Sequence, residues 1–258
     1  MAELLTTSAW AIAILMLTTW VVSVLIDDAS IVDMVWGLGF VVAVWAAFLV
    51  NSVEMTDRTL LVLVVVTLWG LRLTAHLAWR GLGKGEDRRY QQMRRKNPDS
   101  FWLTSLFTVF IVQALVMWVV AVPPVVTLGS EPPLFWLDYL GAGLWLIGVV
   151  VETVSDRQLA RFMRKPESKG QVMDRGLWRY SRHPNYFGDF CVWWGIYLMA
   201  AAAGLWWTVF APIVMSVLLI RFSGVGLIEK TITRRRPGYE EYISTTNSFF
   251  PGPPKKTG

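Results

Sequence analysis

Seven apolar segments, each about as long as a membrane-crossing helix, dominate this chain of 258 residues. A helix needs roughly 20 consecutive apolar residues to cross the hydrocarbon core of a bilayer. Hydrophobic residues make up 54% of the chain and charged residues only 17%, which leaves too little polar surface to cover a globule in water. The sequence therefore predicts an all-α polytopic membrane bundle of about seven transmembrane helices, forming a single integral membrane domain over residues 1–258. The predicted spans are 7–26, 31–50, 59–79, 102–124, 134–155, 186–204 and 205–227.

The basic residues indicate how these spans are oriented. Of 24 lysines and arginines, 22 fall within 80–96, 157–182 and 221–256. With seven spans, all three regions face one side of the membrane, and the positive-inside rule makes that side the cytoplasm. We therefore expect an external N-terminus and a cytoplasmic C-terminus. The same charges would also attract anionic lipid headgroups.

Several functional classes find no support in the sequence. Two histidines and one cysteine cannot build a closed metal site, so no metal is predicted. The single cysteine, Cys191, lies in an apolar run and is expected to fill the core. The chain contains neither the glycine fingerprint of a Rossmann fold nor a P-loop, so a nucleotide cofactor would have to bind to the membrane fold itself. We expect membrane lipids and a lipid-like small molecule as partners, and no nucleic acid.

The densest polar region runs from Glu152 to Asp189. Its first part is expected to extend the fifth span as a helix with one polar face. Pro184 disfavours helix at the preceding residue, so the sixth span is predicted to begin near Asn185. The start of a span offers unpaired backbone N–H groups, a natural phosphate site. Around it the sequence places fork-shaped donors for phosphates, rings that could stack on a nicotinamide or adenine, and a glycine that would let a ligand approach: Arg179, Arg182, Trp178, Tyr180, Tyr186 and Gly188.

A family resemblance rests on these residues. The stretch Arg182-His183-Pro184-Asn185-Tyr186-Phe187-Gly188 resembles an element shared by isoprenylcysteine carboxyl methyltransferases and by steroid 5α-reductases and their sterol reductase relatives. The chain is similar in particular to the bacterial 5α-reductase-like DUF1295 proteins. The motifs that carry this likeness are Asp33-x-x-Trp36-Gly37, Gly85-Glu86-Asp87-x-x-Tyr90, Asp156-x-Gln158, Gly176 to Gly188, Glu229-Lys230, Arg236-Pro237-Gly238-Tyr239, Tyr242 and Pro251.

The resemblance implies an NADPH-dependent membrane oxidoreductase acting on CH–CH groups. The spans within 7–124 would then hold the substrate, and the half over 134–258 would hold the cofactor. His183 could equally contact a ligand or brace its loop, and Glu86 to Tyr90 could lie near the phosphates or form a solvated turn. The predicted cofactor-binding residues are Asp156, Gln158, Arg161, Arg164, Tyr180, Arg182, His183, Asn185, Tyr186, Gly188, Asp189, Trp193, Glu229 and Tyr239.

Asp33 and Asp189 are the predicted catalytic residues. The chain lacks the Gln-Glu pair that binds a steroid ketone in animal reductases. If Arg72 is aligned on the arginine of their third span, Trp69 takes the position of their tyrosine. Asp33 is the best substitute acid, because a carboxyl group in hydrocarbon is costly to ionise and usually faces a cavity or a partner. It could instead form a structural pair with Arg72 or His76.

Two enzymatic functions and one non-enzymatic function follow. The first is reduction of a carbon–carbon double bond in a steroid, isoprenoid or fatty lipid with NADPH. The alternative is methyl transfer from S-adenosylmethionine to a lipid or prenyl substrate, although those enzymes carry paired glutamates where this chain has Glu229-Lys230. The third is lipid binding or scaffolding. We expect the protein in a bacterial inner membrane with its catalytic face cytoplasmic, and the sequence leaves its oligomeric state open.

Overall fold

The computed structural model describes residues 1–131, 133–223 and 238–255, and every regular element within them is helical. Short 3₁₀ turns lie at Pro166–Ser168, Gly176–Arg179 and Trp206–Val209. The helices are α1 (Ala2–Leu25), α2 (Ile31–Met34), α3 (Trp36–Val50), α4 (Asp57–Gly81), α5 (Arg88–Lys96), α6 (Phe101–Thr127), α7 (Trp136–Met163), α8 (Pro184–Ala202), α9 (Phe210–Val217) and α10 (Tyr239–Thr245).

Four of these helices, α1, α4, α6 and α7, are long and apolar enough to cross a membrane. The chain is therefore a helical membrane protein with four candidate spans among its described residues. Two further segments, Trp36–Val50 and Trp206–Arg221, are apolar but shorter. The prediction that a helix begins near Asn185 is confirmed, since α8 begins at Pro184. The count of seven spans and the orientation of the termini stay predictions.

The second predicted span, 31–50, is not one continuous helix. The chain forms the single turn α2, breaks at Val35, and begins α3 at Trp36. Polar contacts at Asp28 and Asp33 hold the first turn apart from the apolar helix that follows. The predicted span of 20 residues thus contains a helix of 15 residues.

The prediction that a span ends at Pro123-Pro124 is wrong, because α6 continues through both prolines to Thr127. Pro123 and Pro124 have no N–H to donate to the carbonyl oxygens four residues earlier, those of Val119 and Val120. Membrane helices tolerate such prolines where neighbouring groups satisfy the freed oxygens. At the end of the helix, the Thr127 hydroxyl donates a hydrogen bond of 2.7 Å to the carbonyl oxygen of Pro123.

One turn of α6, Leu106–Ile111, is wound as a π-helix. Such a turn contains an extra residue and is often found at functional sites. It lines an apolar groove of about 560 Å³ between α1 and α6, whose walls include Met16, Phe110 and Trp118. The turn therefore shapes one wall of this groove.

The described chain divides into two compact units. The N-terminal unit comprises Met1–Phe135 with Met199–Ala211, and the C-terminal unit comprises Trp136–Leu198 with Pro212–Gly258. In the N-terminal unit, α3 and α4 meet at glycines: a Cβ built on Gly37 would lie 2.3 Å from the carbonyl oxygen of Gly70. Small residues let membrane helices approach at backbone distance.

The C-terminal unit uses the same device twice. A Cβ on Gly188 of α8 would lie 2.7 Å from the carbonyl oxygen of Gly148 in α7. Seven residues further along α8, a Cβ on Gly195 would lie 2.6 Å from the carbonyl oxygen of Gly141. The two helices therefore pack closely along two turns, and this packing fixes where the residues at the start of α8 lie.

Candidate functional site

The polar residues of the C-terminal unit form a braced loop between α7 and α8. The Trp178 indole N–H donates to the carbonyl oxygen of Ser155 over 3.0 Å, and the Gln158 side-chain oxygen accepts the Leu177 amide N–H over 2.9 Å. Trp178 is buried. The loop is thus fixed to the last turns of α7, which explains why the sequence carries an amide at position 158.

The C-terminal segment is bound to the same loop. The Tyr242 hydroxyl donates to the carbonyl oxygen of Trp178, and the Ser181 hydroxyl donates to that of Phe249 over 2.7 Å. The Gly252 amide N–H donates to the carbonyl oxygen of Tyr180 over 3.0 Å. Residues 238–255 therefore close over the loop that the sequence predicts as a cofactor site.

Arg182 has a different environment from the predicted one. Its terminal Nη1 donates to the carbonyl oxygens of Thr246, over 2.5 Å, and Ile243, over 3.1 Å, and its side chain is buried. Basic groups favour the carbonyl end of a helix, where unbonded oxygens carry partial negative charge. The Arg182 guanidinium thus holds the end of α10 through Nη1, and its role as a fork for phosphates stays a prediction.

Gly188 also serves a different purpose from the predicted one. Its Cα faces the backbone of α7, because an added Cβ would lie 2.6 Å from the Glu152 amide nitrogen. The glycine is required by helix packing, and the space beside it is filled by α7. Close approach of a ligand at this position is therefore not the reason for the glycine.

A stripe of predicted residues follows one face of α8. Asn185, Asp189 and Trp193 are spaced by four residues, which places them on the same side of a helix. The Asn185 amide donates to the Asp156 carboxylate over 3.3 Å, so the stripe begins at the buried polar face of α7. Trp193 is buried, and Asn185 and Asp189 are partly exposed. The structure thus brings together four of the predicted cofactor residues.

The remaining predicted residues of this unit surround the loop. Arg161 and Arg164 lie exposed in and just after the last turn of α7, and Tyr180 is 45% exposed. The rings of His183 and Tyr186 stack with their centroids 5.7 Å apart, and Tyr239 is buried beside Tyr242. Glu229 lies outside the described residues.

Asp33 anchors a second polar cluster, in the N-terminal unit. Its carboxylate accepts hydrogen bonds from Arg89 Nη2, over 2.7 Å, and from the Tyr90 hydroxyl, over 2.9 Å. Gln113 in turn donates to the Tyr90 hydroxyl oxygen over 3.3 Å. Burial, the charge of Asp33 and the hydrogen bond to it raise the pKa of Tyr90 above its ordinary value, so the hydroxyl keeps its proton.

This cluster corrects the predicted environment of Asp33. The sequence placed the carboxylate within a span and named Arg72 or His76 as its structural partner. Asp33 instead lies in α2, ahead of the apolar helix, with a third of its side chain exposed and with partners from α5. Sequence reasoning noticed Tyr90 in a motif but missed its pairing with Asp33.

A neighbouring clamp holds α5 in place. Glu86, with a side chain only 8% exposed, accepts two hydrogen bonds from Arg94, at 3.0 and 2.8 Å, and one from the Ala29 amide N–H at 3.0 Å. Arg94 also pairs with Asp27 and lies over the Phe101 ring, 4.5 Å from its centroid. The clamp joins α5 to the α1–α2 turn and so positions Arg89 and Tyr90 beside Asp33.

Residues 19–246 match a family described as "Protein of unknown function (DUF1295)". The chain belongs to the DUF1295 family. The membership that its motifs predict is thereby confirmed, and the match includes both polar clusters.

Individual relatives of this DUF1295 protein differ in how much of it they cover. It is 28% identical over 262 residues to an uncharacterized protein of Schizosaccharomyces pombe, an alignment covering 90% of this chain and 75% of that protein. It is 42% identical over 82 residues to 3-oxo-5-alpha-steroid 4-dehydrogenase 1 of Rattus norvegicus, covering 31% of this chain and 30% of that one. The mouse enzyme of the same name is 39% identical over 82 residues, covering 31% of each chain. These enzymes are matched over about a third of their length. No solved structure matches the DUF1295 chain.

Within the described residues of this DUF1295 protein, no group of three or more histidine, cysteine, aspartate or glutamate side chains is placed to hold a metal ion.

Proposed function

We propose that this protein is an NADPH-dependent reductase of a carbon–carbon double bond in a steroid, isoprenoid or other lipid-like substrate. The observation that carries the proposal is the 42% identity with a steroid 4-dehydrogenase over 82 residues. The methyltransferase alternative is not favoured, because the named enzymes that the chain matches are steroid dehydrogenases.

The C-terminal unit offers groups that suit a dinucleotide phosphate. Arg161 and Arg164 provide exposed guanidinium groups near the braced loop, and Tyr180 provides an exposed ring for stacking. Asn185 and Asp156 provide an amide and a carboxylate that could bind ribose or carboxamide groups. The abundance of arginines favours NADPH over NADH, since a 2′-phosphate needs a cationic partner.

The N-terminal unit offers a proton. NADPH, when bound, supplies a hydride to one carbon of the double bond, and the neighbouring carbon must then take up a proton. Tyr90 holds a proton on a hydroxyl that is fixed by Asp33 and Gln113. We assign the proton-donating role to the Asp33–Tyr90 pair, with Asp189 retained as a predicted catalytic residue.

The proposal includes the number of membrane spans and the orientation of the termini. Seven spans would place the three basic regions on one side, with an external N-terminus and a cytoplasmic C-terminus. The positive-inside rule supports this count. The catalytic face would then lie on the cytoplasmic side of a bacterial inner membrane, where NADPH is available, and residues 1–258 would act as one membrane domain.

Titration of the purified protein with NADPH tests the proposal. Energy transfer from tryptophan to the reduced nicotinamide should appear at micromolar concentrations. Asn185→Ala and Arg161→Gln should each weaken binding by about tenfold, since hydrogen bonds to charged groups contribute about 1.5–3 kcal/mol. The matched control Arg175→Gln, which removes another exposed arginine of the loop between α7 and α8, should bind normally. Micromolar binding of S-adenosylmethionine with none of NADPH would instead favour the methyltransferase.

A further inference from the structure

Helix α5 presents two chemically different faces. Its nine residues include five basic side chains and no acidic one. Residues 88, 92, 95 and 96 follow the spacing of one helix face and are all exposed, whereas Tyr90 on the other side is buried. The exposed face consists of Arg88, Gln92, Arg95 and Lys96.

The basic residues of the inner face pair with acidic groups of the N-terminal unit. Arg89 pairs with Asp33 and Asp87, and Arg94 pairs with Glu86 and Asp27. Asp87 also caps the helix by accepting the Arg89 amide N–H over 2.9 Å. The helix is therefore held firmly by one face, with its orientation fixed.

The outer face keeps an excess of positive charge. Among residues 1–131, 133–223 and 238–255, the structure gives Arg88, Arg95 and Lys96 no ion-pair partner within 4.0 Å. Three cations thus lie along one surface, and no acidic group within the described part of the chain pairs with them.

Aromatic residues show at which membrane level α5 lies. Trp20, near the end of α1, donates its indole N–H to the carbonyl oxygen of Trp102 over 2.8 Å, and the two rings lie 6.4 Å apart. Trp102 is 52% exposed and is the second residue of α6, only six positions after Lys96. Tryptophans at span ends mark the boundary between hydrocarbon and headgroups. The helix α5 therefore lies next to the headgroup layer.

We infer that the outer face of α5 is a docking surface for anionic lipid headgroups. Arg88 and Lys96 are eight residues apart, or about 12 Å along the helix axis. A single phosphate cannot bridge that distance, whereas an array of headgroups in a membrane plane can. Each basic residue near an anionic membrane contributes about 1 kcal/mol of attraction.

Anionic lipid bound to α5 would stabilise the Asp33–Tyr90 cluster. The same helix that carries the outer cations also supplies Arg89 and Tyr90 to Asp33. Anionic headgroups bound to the outer face of α5 should therefore make the contacts of Arg89 and Tyr90 with Asp33 open less often. This inference does not depend on the proposed reductase activity.

The chain of 258 residues is reconstituted in nanodiscs of phosphatidylcholine, with or without a third of phosphatidylglycerol. Hydrogen exchange of the amides over 83–100 is then measured. Phosphatidylglycerol should slow the exchange of this segment in the wild type, and the triple variant Arg88→Gln/Arg95→Gln/Lys96→Gln should lose most of that effect. Native mass spectrometry should show about a fivefold loss of phosphatidylglycerol retention per removed charge, equivalent to about 1 kcal/mol each.

A control variant that loses the same number of charges elsewhere distinguishes this site from nonspecific attraction between a basic protein and anionic lipid. Arg157→Gln/Lys169→Gln/Arg175→Gln removes three exposed cations of the C-terminal unit and should leave the effect on 83–100 intact. Unchanged exchange within α6 shows that the variants are folded. An equal loss in both triple variants overturns the inference. The inference is also overturned if inorganic phosphate, added to nanodiscs of pure phosphatidylcholine, protects residues 83–100 as well as phosphatidylglycerol does. It is overturned as well if the α5 triple variant loses NADPH binding but keeps its preference for phosphatidylglycerol.

Discussion

Gly188 of α8 and Gly148 of α7 lie in backbone contact, so close that a Cβ on Gly148 would be 2.5 Å from the carbonyl oxygen of Gly188. The contact places Asn185 and Asp189 beside the polar end of α7, where Asn185 bonds to Asp156. The geometry of the candidate cofactor site therefore depends on a helix pair that tolerates no side chain at its centre.

Gly188→Ala should separate α7 from α8, because the new Cβ would lie 2.6 Å from the Glu152 amide nitrogen. Overpacking of this kind costs about 1–3 kcal/mol, and we expect a lower melting temperature in detergent and weaker NADPH binding. Gly143→Ala is the matched control, since nothing lies within 4 Å of a Cβ built there. It should be neutral or stabilising, because alanine is about 0.5–1 kcal/mol better than glycine inside a helix. Equal melting temperatures for the two variants would contradict the packing described.

Arg182→Ala should release the C-terminal segment from its loop. The variant removes the hydrogen bonds from Nη1 to the carbonyl oxygens of Ile243 and Thr246 and leaves those buried oxygens unsatisfied. We expect about 1.5–3 kcal/mol of local destabilisation, seen as faster hydrogen exchange over 239–247. Arg179→Ala, three residues earlier and exposed, should leave exchange there unchanged. Normal protection in Arg182→Ala would show that other contacts suffice to hold α10.

The clamp at Glu86 should give stability a defined pH dependence. Burial alone would raise the pKa of Glu86, but hydrogen bonds from Arg94 and the Ala29 amide, together with the charge of Arg94, outweigh it and lower the pKa. A carboxyl group with a lowered folded-state pKa stabilises the fold above its unfolded pKa, and the contribution is lost as the pH falls through the folded value. The contribution should therefore be complete at neutral pH and decline at acidic pH, below about 4.5.

The melting temperatures of the wild type and of Glu86→Gln, measured at roughly one-unit steps from pH 7 to pH 3, test this expectation. Glu86→Gln should be less stable than the wild type at neutral pH, and the difference should shrink as the pH falls. Glu54→Gln, an exposed glutamate, provides the control and should track the wild type. A Glu86→Gln difference that stays constant over the whole range would refute the assigned role of the charge.

A double-mutant cycle should reveal coupling between Asp33 and Tyr90. The single variants Asp33→Ala and Tyr90→Phe each remove the 2.9 Å hydrogen bond, so the double variant should cost less than the sum of the two. We expect an interaction free energy of about 0.5–3 kcal/mol, measured from local exchange over 27–35. As a control, the free-energy effects of substituting Asp33 and Tyr139 should be additive, because Tyr139 is exposed and belongs to the C-terminal unit. Strict additivity for Asp33 and Tyr90 would remove the basis for their shared role.

The sequence predicted the elements whose signal is local. Apolar length located α1, α4, α6 and α7, and the proline rule located the start of α8. It failed where a local signal was overridden. Pro123-Pro124 normally stops a helix, but α6 continues through both prolines to Thr127.

The candidate site shows the same division. Residue type and spacing predicted that Asn185, Asp189 and Trp193 share a helix face, which depends only on helical periodicity. Sequence could not show that Arg182 is used by α10, since its partners are carbonyl oxygens more than 60 residues away and carry no side-chain signature. The Asp33–Tyr90 pair was missed for a related reason: it requires α5 to fold back onto the α1–α2 turn, and the clamp that does this depends on Glu86 and Arg94 meeting in space.

The π-helical turn at Leu106–Ile111 sets the phase of everything after it in α6. Each residue of a regular helix advances the winding by about 100°, so removing one residue from this turn would rotate the downstream side chains by that angle. Gln113, two residues beyond the turn, would swing away from the Tyr90 hydroxyl. The π-helical turn thus sets the direction in which the Gln113 side chain points. Deleting one residue from the turn would turn Gln113 away from Tyr90, although the helix would remain long enough to cross the membrane.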